Sequence, residues 1–371
     1  MKQHIGIISY GLERQAGGIA RYSRELMTEL QRVGLNFAVL KAGSTTSVNG
    51  EIAIRGARLL PGLLTIGQIE IARVAHKKRL ALIHDPTGCA PLWFASVNRV
   101  VTIHDVIPHI YPETSSKLDW MIHHYWLPLI VKRLDAIITI SEQSKADLLL
   151  HLRAKPEAIT VIPPAASPMY RPLESREIEM RLLRLGISFP YILYVGSIEA
   201  RKNLARLLEA YAQVRSWSKK WKLVIVGAPK WKYSSVFSTL EQLQLTSDVH
   251  FTGYVPEEDL PVLYNGASLF VFPSLYEGFG LPVLEAMSCG TPVIASNCAS
   301  LPEVAGQAAL LIDPMDIHTI SGAIQQVLGE PDLARSMRQK GIVQAQQFSW
   351  DQTARRTIAV YESLLNDEQN D

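Results

Sequence analysis

The chain has 371 residues, more than a single hydrophobic core usually organises, so two domains are expected. A composition of 47% hydrophobic and 19% charged residues is that of a soluble globular protein, and a formal net charge of +2 supplies no basic excess of the kind a nucleic-acid partner requires. Three cysteines, Cys89, Cys289 and Cys298, stand without CxxC spacing or a histidine cluster, which indicates neither a disulfide framework nor a structural zinc site and fits a reducing compartment.

The N-terminal MKQHIGIISYGLERQAGG runs directly into a strand-like segment with no basic, apolar and cleavage-site succession, so secretion is not indicated and a cytoplasmic location is expected. Short apolar strands then alternate with helical patterns: HIGIISY, GGIARYSRELMTELQRVG, NFAVLKAG, ALIHD, VVTIHD and DAIITIS. This alternation predicts a parallel sheet covered by helices. Gly17-Gly18 precede a helix and allow close approach of a ligand to the backbone, or form a simple turn; Arg21 adds charge there or lies on the helix surface. His104 and Asp105 stand at a strand end, although a lone histidine is more often structural, and Ser141 fits a helix cap. MIHHYWLPLIV, interrupted by Pro128, reads as a packed helix rather than an anchor.

From Pro163 the text turns rich in proline and charge, IPPAASPMYRPLESREIEMRLLRLGISFP, and is read as the connection between domains, 163–188. The first domain is expected over 1–162 and the second over 189–350. A second alternation fills the latter: YILYVGS, NLARLLEAYAQV, KLVIVGA, VHFTGYV, LFVFPS, PVIAS and AALLIDP. The same vocabulary twice predicts two Rossmann-like, doubly wound α/β domains facing across a cleft, with ligands at the carboxyl ends of the strands. FSWDQTARRTIAVYESLL, capped by Ser349, is expected to pack back over 351–371, and the tail NDEQND to fray. WSKKWKLVIVG and APKWKY suit anionic headgroups or, preferably, solvated helix ends, which leaves peripheral membrane contact open.

Three stretches carry chemistry. In YVGSIEARKN, Arg201-Lys202 stand after a strand and before a helix, where two cations and a helix dipole face one anion; a diphosphate fits, as do two solvated charges. Gly253-Tyr254-Val255-Pro256 form a strand-to-helix turn that exposes backbone groups to a planar base or merely connects. In YEGFGLPVLEAMSCGTPVIAS, Gly278-Phe279-Gly280 read as a turn, Pro282 as the start of a helix and Gly290 as its end. Glu285 is then an acid in the first helical turn, favoured by the dipole alone, whereas Glu277 precedes the glycines and asks for a ligand with phosphates and hydroxyls.

Taken together, EGFGLPVLE with its E-x7-E spacing, Arg201 to Asn203, the GYV turn and GTPVIAS followed by LPEVAG resemble the retaining nucleotide-sugar glycosyltransferases of family 4, with the GT-B fold. The resemblance spans nearly the whole chain and is strongest from Tyr191 to Pro314. It implies that Glu285 holds the ribose and that Arg201 and Lys202 hold the diphosphate, bordered by Gly17 and Gly18. It further implies that backbone around Val255 and Tyr254 reads the base, and that Glu277 with Gly278, Phe279, Gly280 and Leu281 engages the donor sugar. His104, more than His84, is implied beside that sugar. Ser197 stands where many members carry an arginine, which shifts diphosphate binding onto Arg201 and Lys202.

The implied reaction is hexosyl transfer with retention, from UDP-glucose first or GDP-mannose second, to a saccharide or lipid-linked saccharide at the inner membrane face. No cofactor is expected, and with no DxD sequence no metal either. The alternatives are a nucleotide-sugar epimerase of the same fold and a noncatalytic nucleotide-sugar-binding protein; a dinucleotide oxidoreductase is weaker, since GxGxxG is missing after the first strand.

Overall fold

A computed structural model describes residues 5–10, 17–42, 51–54, 63–231 and 234–367; the side chains of 230–233 and the tail beyond 367 lie outside the described residues, and with them most of APKWKY and NDEQND. The chain divides into two compact units, Met1–Pro164 with Ser349–Asp371, and Ala165–Phe348.

In the first unit seven parallel strands run β1 (Ile5–Ser9), β2 (Phe37–Ala42), β3 (Glu51–Ile54), β4 (Leu82–Asp85), β5 (Asn98–Ile103), β6 (Ala136–Thr139) and β7 (Ile159–Val161). Their spatial order is β3-β2-β1-β4-β5-β6-β7. β1 and β4 are buried at every position, as expected of strands covered on both faces. The order reverses between β1 and β4, so the loops after these two strands leave in opposite directions and open a crevice at their carboxyl ends.

The C-terminal helix Trp350–Asp367 belongs to this unit and packs on the helix Gly18–Arg32. Ser349 caps it, accepting from the Gln352 amide at 3.2 Å. His84 welds it to the sheet: fully buried on β4, its Nδ1 lies 2.6 Å from the Tyr361 hydroxyl and its Nε2 2.8 Å from Thr102 Oγ1. Burial, reinforced by neighbouring His104, pushes His84 down to about 3, so it is neutral. With both nitrogens committed, His84 lines no cleft, even indirectly; its role is structural.

The segment expected as a packed helix is packed on one face only. Ile122, Leu127, Ile130 and Val131 are buried, while Met121, Tyr125 and Leu129 are more than half exposed. Among the described residues no helix is long and apolar enough to cross a membrane.

In the second unit the principal sheet is β8 (Tyr191–Val195), β10 (Lys222–Val226), β12 (Val249–Gly253), β13 (Leu269–Phe272), β14 (Val293–Ser296) and β15 (Leu310–Ile312), in the order β12-β10-β8-β13-β14-β15. A two-stranded parallel pair, β9 (Ile198–Glu199) and β11 (Pro229–Trp231), sits beyond the ends of β8 and β10. Within the stretch read as connection, the helix Ser175–Arg184 belongs to this unit and packs on Leu260–Gly266, with Arg181 Nη2 2.9 Å from Asp259 Oδ1. Here the order reverses between β8 and β13, which places a second crevice where YVGSIEARKN and YEGFGLP leave the sheet.

Candidate active site

The loop after β8 is shaped by close approach. Gly227 has φ +143°, and a Cβ there would lie 1.9 Å from the Gly196 carbonyl oxygen, so the β8 and β10 loops touch backbone to backbone. Beyond β9 a single tight turn, Ala200–Lys202, ends at Asn203 in the left-handed region (φ 61°). Asparagine tolerates that conformation, and its amide does further work: Nδ2 donates to the carbonyls of Pro273 at 3.1 Å and Pro314 at 2.6 Å. In RKN, then, two residues carry charge and the third clamps the turn to the ends of β13 and β15. Asn203→Ala is expected to lower stability by about 2–4 kcal/mol in thermal or urea denaturation, from two orphaned carbonyls and a strained φ. Asn203→Gly relieves the strain and is expected to cost measurably less.

This clamp aims Arg201 and Lys202 at the loop after β13. Lys202 Nζ donates to Glu277 Oε1 at 2.5 Å, Arg201 Nη1 lies 3.2 Å from Glu277 Oε2, and Arg201 Nη2 donates to Glu199 Oε1 at 2.7 Å. Arg201 also donates to the Tyr276 carbonyl, its own carbonyl accepts from the Leu275 amide at 2.9 Å, and Lys202 Nζ sits 5.0 Å over the Phe272 ring. All four charged residues are at most 8% exposed. Burial opposes ionisation of Glu277, but the Lys202 ammonium and the Arg201 guanidinium outweigh it and hold the carboxyl at about 2. The group is a carboxylate at any physiological pH.

The glycine turn is as tight as the sequence predicts. Gly280 has φ +109°, a Cβ there would meet the Leu301 side chain at 2.6 Å, and the Ser300 hydroxyl lies 2.8 Å from the carbonyl oxygens of both Glu277 and Phe279. The helix Leu281–Ser288 follows, with Gly290 at φ +72° beyond its end. One expectation fails: Glu285 is the fifth residue of this helix, whose first turn contains no acid, so the dipole does not account for it. Glu285 is instead 2% exposed and accepts from the buried Tyr264 hydroxyl at 2.9 Å. At the β12 turn, Gly253 has φ +69° and accepts from the Gly227 amide at 2.9 Å; Val255 is buried and Tyr254 is 62% exposed.

His104, Gly17 and Gly18 belong to the first unit. Gly17 (φ +130°) is exposed and precedes the helix Gly18–Arg32, whose first turn carries no acid. His104 follows β5 and is 8% exposed. Its Nε2 lies 2.9 Å from the Pro86 carbonyl, which only accepts, so Nε2 carries the proton and Nδ1 is the acceptor. Burial lowers its pKa despite that hydrogen bond, and the Tyr22 ring meets it edge-on at 4.7 Å. Ser141 caps its helix, accepting from the Ser144 amide at 2.9 Å, and Ser144 Oγ donates to the His104 carbonyl at 2.9 Å. His109, His123, His124 and His151 gather nearby as ring contacts, His109 stacking on His124 at 4.4 Å. Among the described residues no three His, Cys, Asp or Glu side chains gather as metal ligands.

The structure thus brings Arg201, Lys202 and Glu277 into one cluster and adds what sequence reading overlooked: Glu199, Asn203 as a clamp, Tyr264 behind Glu285, and Ser300. Only Glu199 left a signal, an acid two residues before an arginine in an extended segment.

Residues 16–168 match the family described as Glycosyltransferase Family 4, and residues 177–344 match Glycosyl transferases group 1. The chain is 34% identical over 310 residues to O-antigen chain mannosyltransferase B of Escherichia coli, covering 80% of each. It is 30% identical over 277 residues to the serotype-specific mannosyltransferase WbdA of Escherichia coli, covering 73% of this chain and 34% of that one. In fold it is similar to sucrose-phosphate synthase of Thermosynechococcus elongatus, with TM-score 0.81, 24% identity, and 98% and 100% of the two chains covered.

Proposed function

The chain belongs to the family 4 glycosyltransferases, with the paired Rossmann-like domains of the GT-B fold, and from that premise we propose that it transfers mannose from a nucleoside diphosphate mannose to a saccharide hydroxyl. The observation that carries the reading is the buried Lys202–Glu277–Arg201 cluster at the carboxyl ends of β8 and β13. UDP-glucose ranks first by sequence, but the names of the two Escherichia coli relatives reverse that order and support mannose; GDP is then proposed as the carrier nucleotide because GDP-mannose is the second donor that the sequence resemblance implies. The words O-antigen chain in the first of these names also support a growing polysaccharide as acceptor.

In this reading Lys202 and Arg201 take the diphosphate and offset the charge that develops on it as the glycosidic bond breaks. Glu285, held by Tyr264, takes the ribose hydroxyls; backbone at Val255 reads the base, and Gly17 and Gly18 border the phosphate. Glu277, released from Lys202 by the incoming phosphate, orients the sugar with the amides of Phe279, Gly280 and Leu281. His104 Nδ1 accepts from a substrate hydroxyl.

The transfer proceeds on one face. The bond from the anomeric carbon to the phosphate oxygen breaks, the acceptor oxygen bonds to that carbon from the same side, and the acceptor proton passes to the departing phosphate. The anomeric configuration is retained. A double displacement would need a nucleophile and a separate acid about 5 Å apart. With Glu285 assigned to the ribose, Glu277 has no second carboxyl partner at the sugar, which supports its role as an orienting group. The same two cations leave no step that requires a metal.

The test is nucleotide binding and donor consumption in EDTA. GDP is expected to bind, and GDP-mannose to be consumed with mannose-terminated acceptors, without a stable glycosyl-enzyme in the intact mass spectrum. Consumption of UDP-glucose in place of GDP-mannose would restore the other donor, and a covalent adduct on Glu277 would overturn the one-face mechanism.

A further inference from the structure

We infer that Glu199 is a positioning residue for the donor phosphates, holding Arg201 side-on to Glu277 while cancelling one of the site's two positive charges. This rests on the assignment of Arg201 and Lys202 to the diphosphate.

Glu199 closes β9 in extended geometry, φ −148° and ψ 158°, and is 4% exposed. The terminal nitrogens of Arg201 are claimed by different elements. Nη2 goes to Glu199 at 2.7 Å, whereas Nη1 goes to the loop after β13, at the Tyr276 carbonyl and 3.2 Å from Glu277 Oε2. A guanidinium prefers to give both nitrogens of one edge to a single carboxylate. Were Glu199 absent, Arg201 would turn that fork onto Glu277 and draw it away from Lys202, the cation that must exchange Glu277 for phosphate. Glu199 blocks this collapse.

Charge makes the second half of the argument. Arg201 and Lys202 face Glu277 and Glu199, so two cations meet two carboxylates and the buried cluster is neutral. A site this enclosed pays heavily for any uncompensated charge. With Glu277 alone the cluster would hold one positive charge in excess and would grip the nucleoside diphosphate product more firmly.

Orientation and charge are separable by substitution. Glu199→Gln keeps an acceptor oxygen for Arg201 and removes the charge; Glu199→Ala removes both. Calorimetry with GDP and with UDP, alongside thermal denaturation, would compare these variants with wild type and with Lys202→Ala. Glu199→Gln is expected to tighten nucleoside diphosphate binding by roughly fivefold, and Glu199→Ala to weaken it by roughly tenfold, the scale of one hydrogen bond to a charged group. These opposite signs are what a purely structural role would not produce. If Lys202→Ala loses binding while both Glu199 variants bind as wild type, or both weaken together in step with their melting temperatures, the role assigned to Glu199 is wrong and the donor site stands. Should Lys202→Ala bind both nucleotides as wild type does, the donor-site assignment falls and Glu199 with it.

Discussion

Lys202→Ala is expected to abolish nucleoside diphosphate binding while leaving the protein folded, a loss of about a hundredfold or more in affinity. The magnitude follows from where the ammonium sits. It is 8% exposed, 2.5 Å from Glu277 Oε1 and 5.0 Å over the Phe272 ring, so it meets its anion with little water to screen the contact. Truncating one member of such a desolvated, hydrogen-bonded charge pair typically costs 2–5 kcal/mol, or about 30- to several-thousand-fold. The fold is expected to survive at a lower melting temperature: Arg201 still faces Glu277 at 3.2 Å, while the second carboxylate loses its cation at a cost of about 3–5 kcal/mol. Calorimetric titration with GDP and UDP, with a melting curve on the same sample, separates the two outcomes. A folded variant that binds like wild type would remove the diphosphate from this end of the sheet.

The second large effect concerns Glu277 and reaches both activity and stability. Glu277→Ala leaves Arg201 and Lys202 buried against Glu199 alone, and an uncompensated charge of this kind costs about 3–5 kcal/mol. Turnover is expected to vanish with it if Glu277 orients the sugar as proposed. Glu277→Gln preserves the shape and isolates the charge.

Its pH dependence has a definite sign. The carboxyl is held at about 2 against an ordinary value of 4.5, so the unfolded chain binds its proton more readily than the native one. The resulting stabilisation, on the order of 3 kcal/mol, is therefore complete above pH 4.5 and is lost as the pH falls from there toward 2. Wild type should show a steep fall in melting temperature across that window, and Glu277→Gln a shallower one from a lower start. Parallel curves for the two proteins would mean that the Glu277 ion pairs contribute nothing to folding.

Much of this architecture is written locally. Strand and helix alternate in both halves because parallel strands covered on two faces must be continuously apolar, and β1, β4, β8 and β13 are buried at every position. Gly280 and Gly290 punctuate one helix at positive φ, and Ser349 and Ser141 cap two others. Each is a matter of one residue's backbone preference or a side chain reaching two or three residues along. Glu285 shows how far such reasoning extends: it is the fourth residue counted from Pro282 but the fifth counted from Leu281, and a shift of one residue in the helix start takes it out of the first turn and changes the physical account.

By itself the sequence determined two Rossmann-like domains and the order of their elements, and it singled out Arg201, Lys202, Glu277 and Glu285 as candidates for a nucleotide-sugar site. Only the tertiary structure decided who pairs with whom. Glu277 meets Lys202 across 75 residues, Asn203 reaches Pro314 across 111, and His84 meets Tyr361 across 277. Spacing carries no trace of these contacts. The Lys202–Glu277 pair arises where a reversal in strand order sends two loops apart at the carboxyl ends of neighbouring strands, and burial there turns ordinary charged side chains into a cluster in which each carboxylate must find its cation.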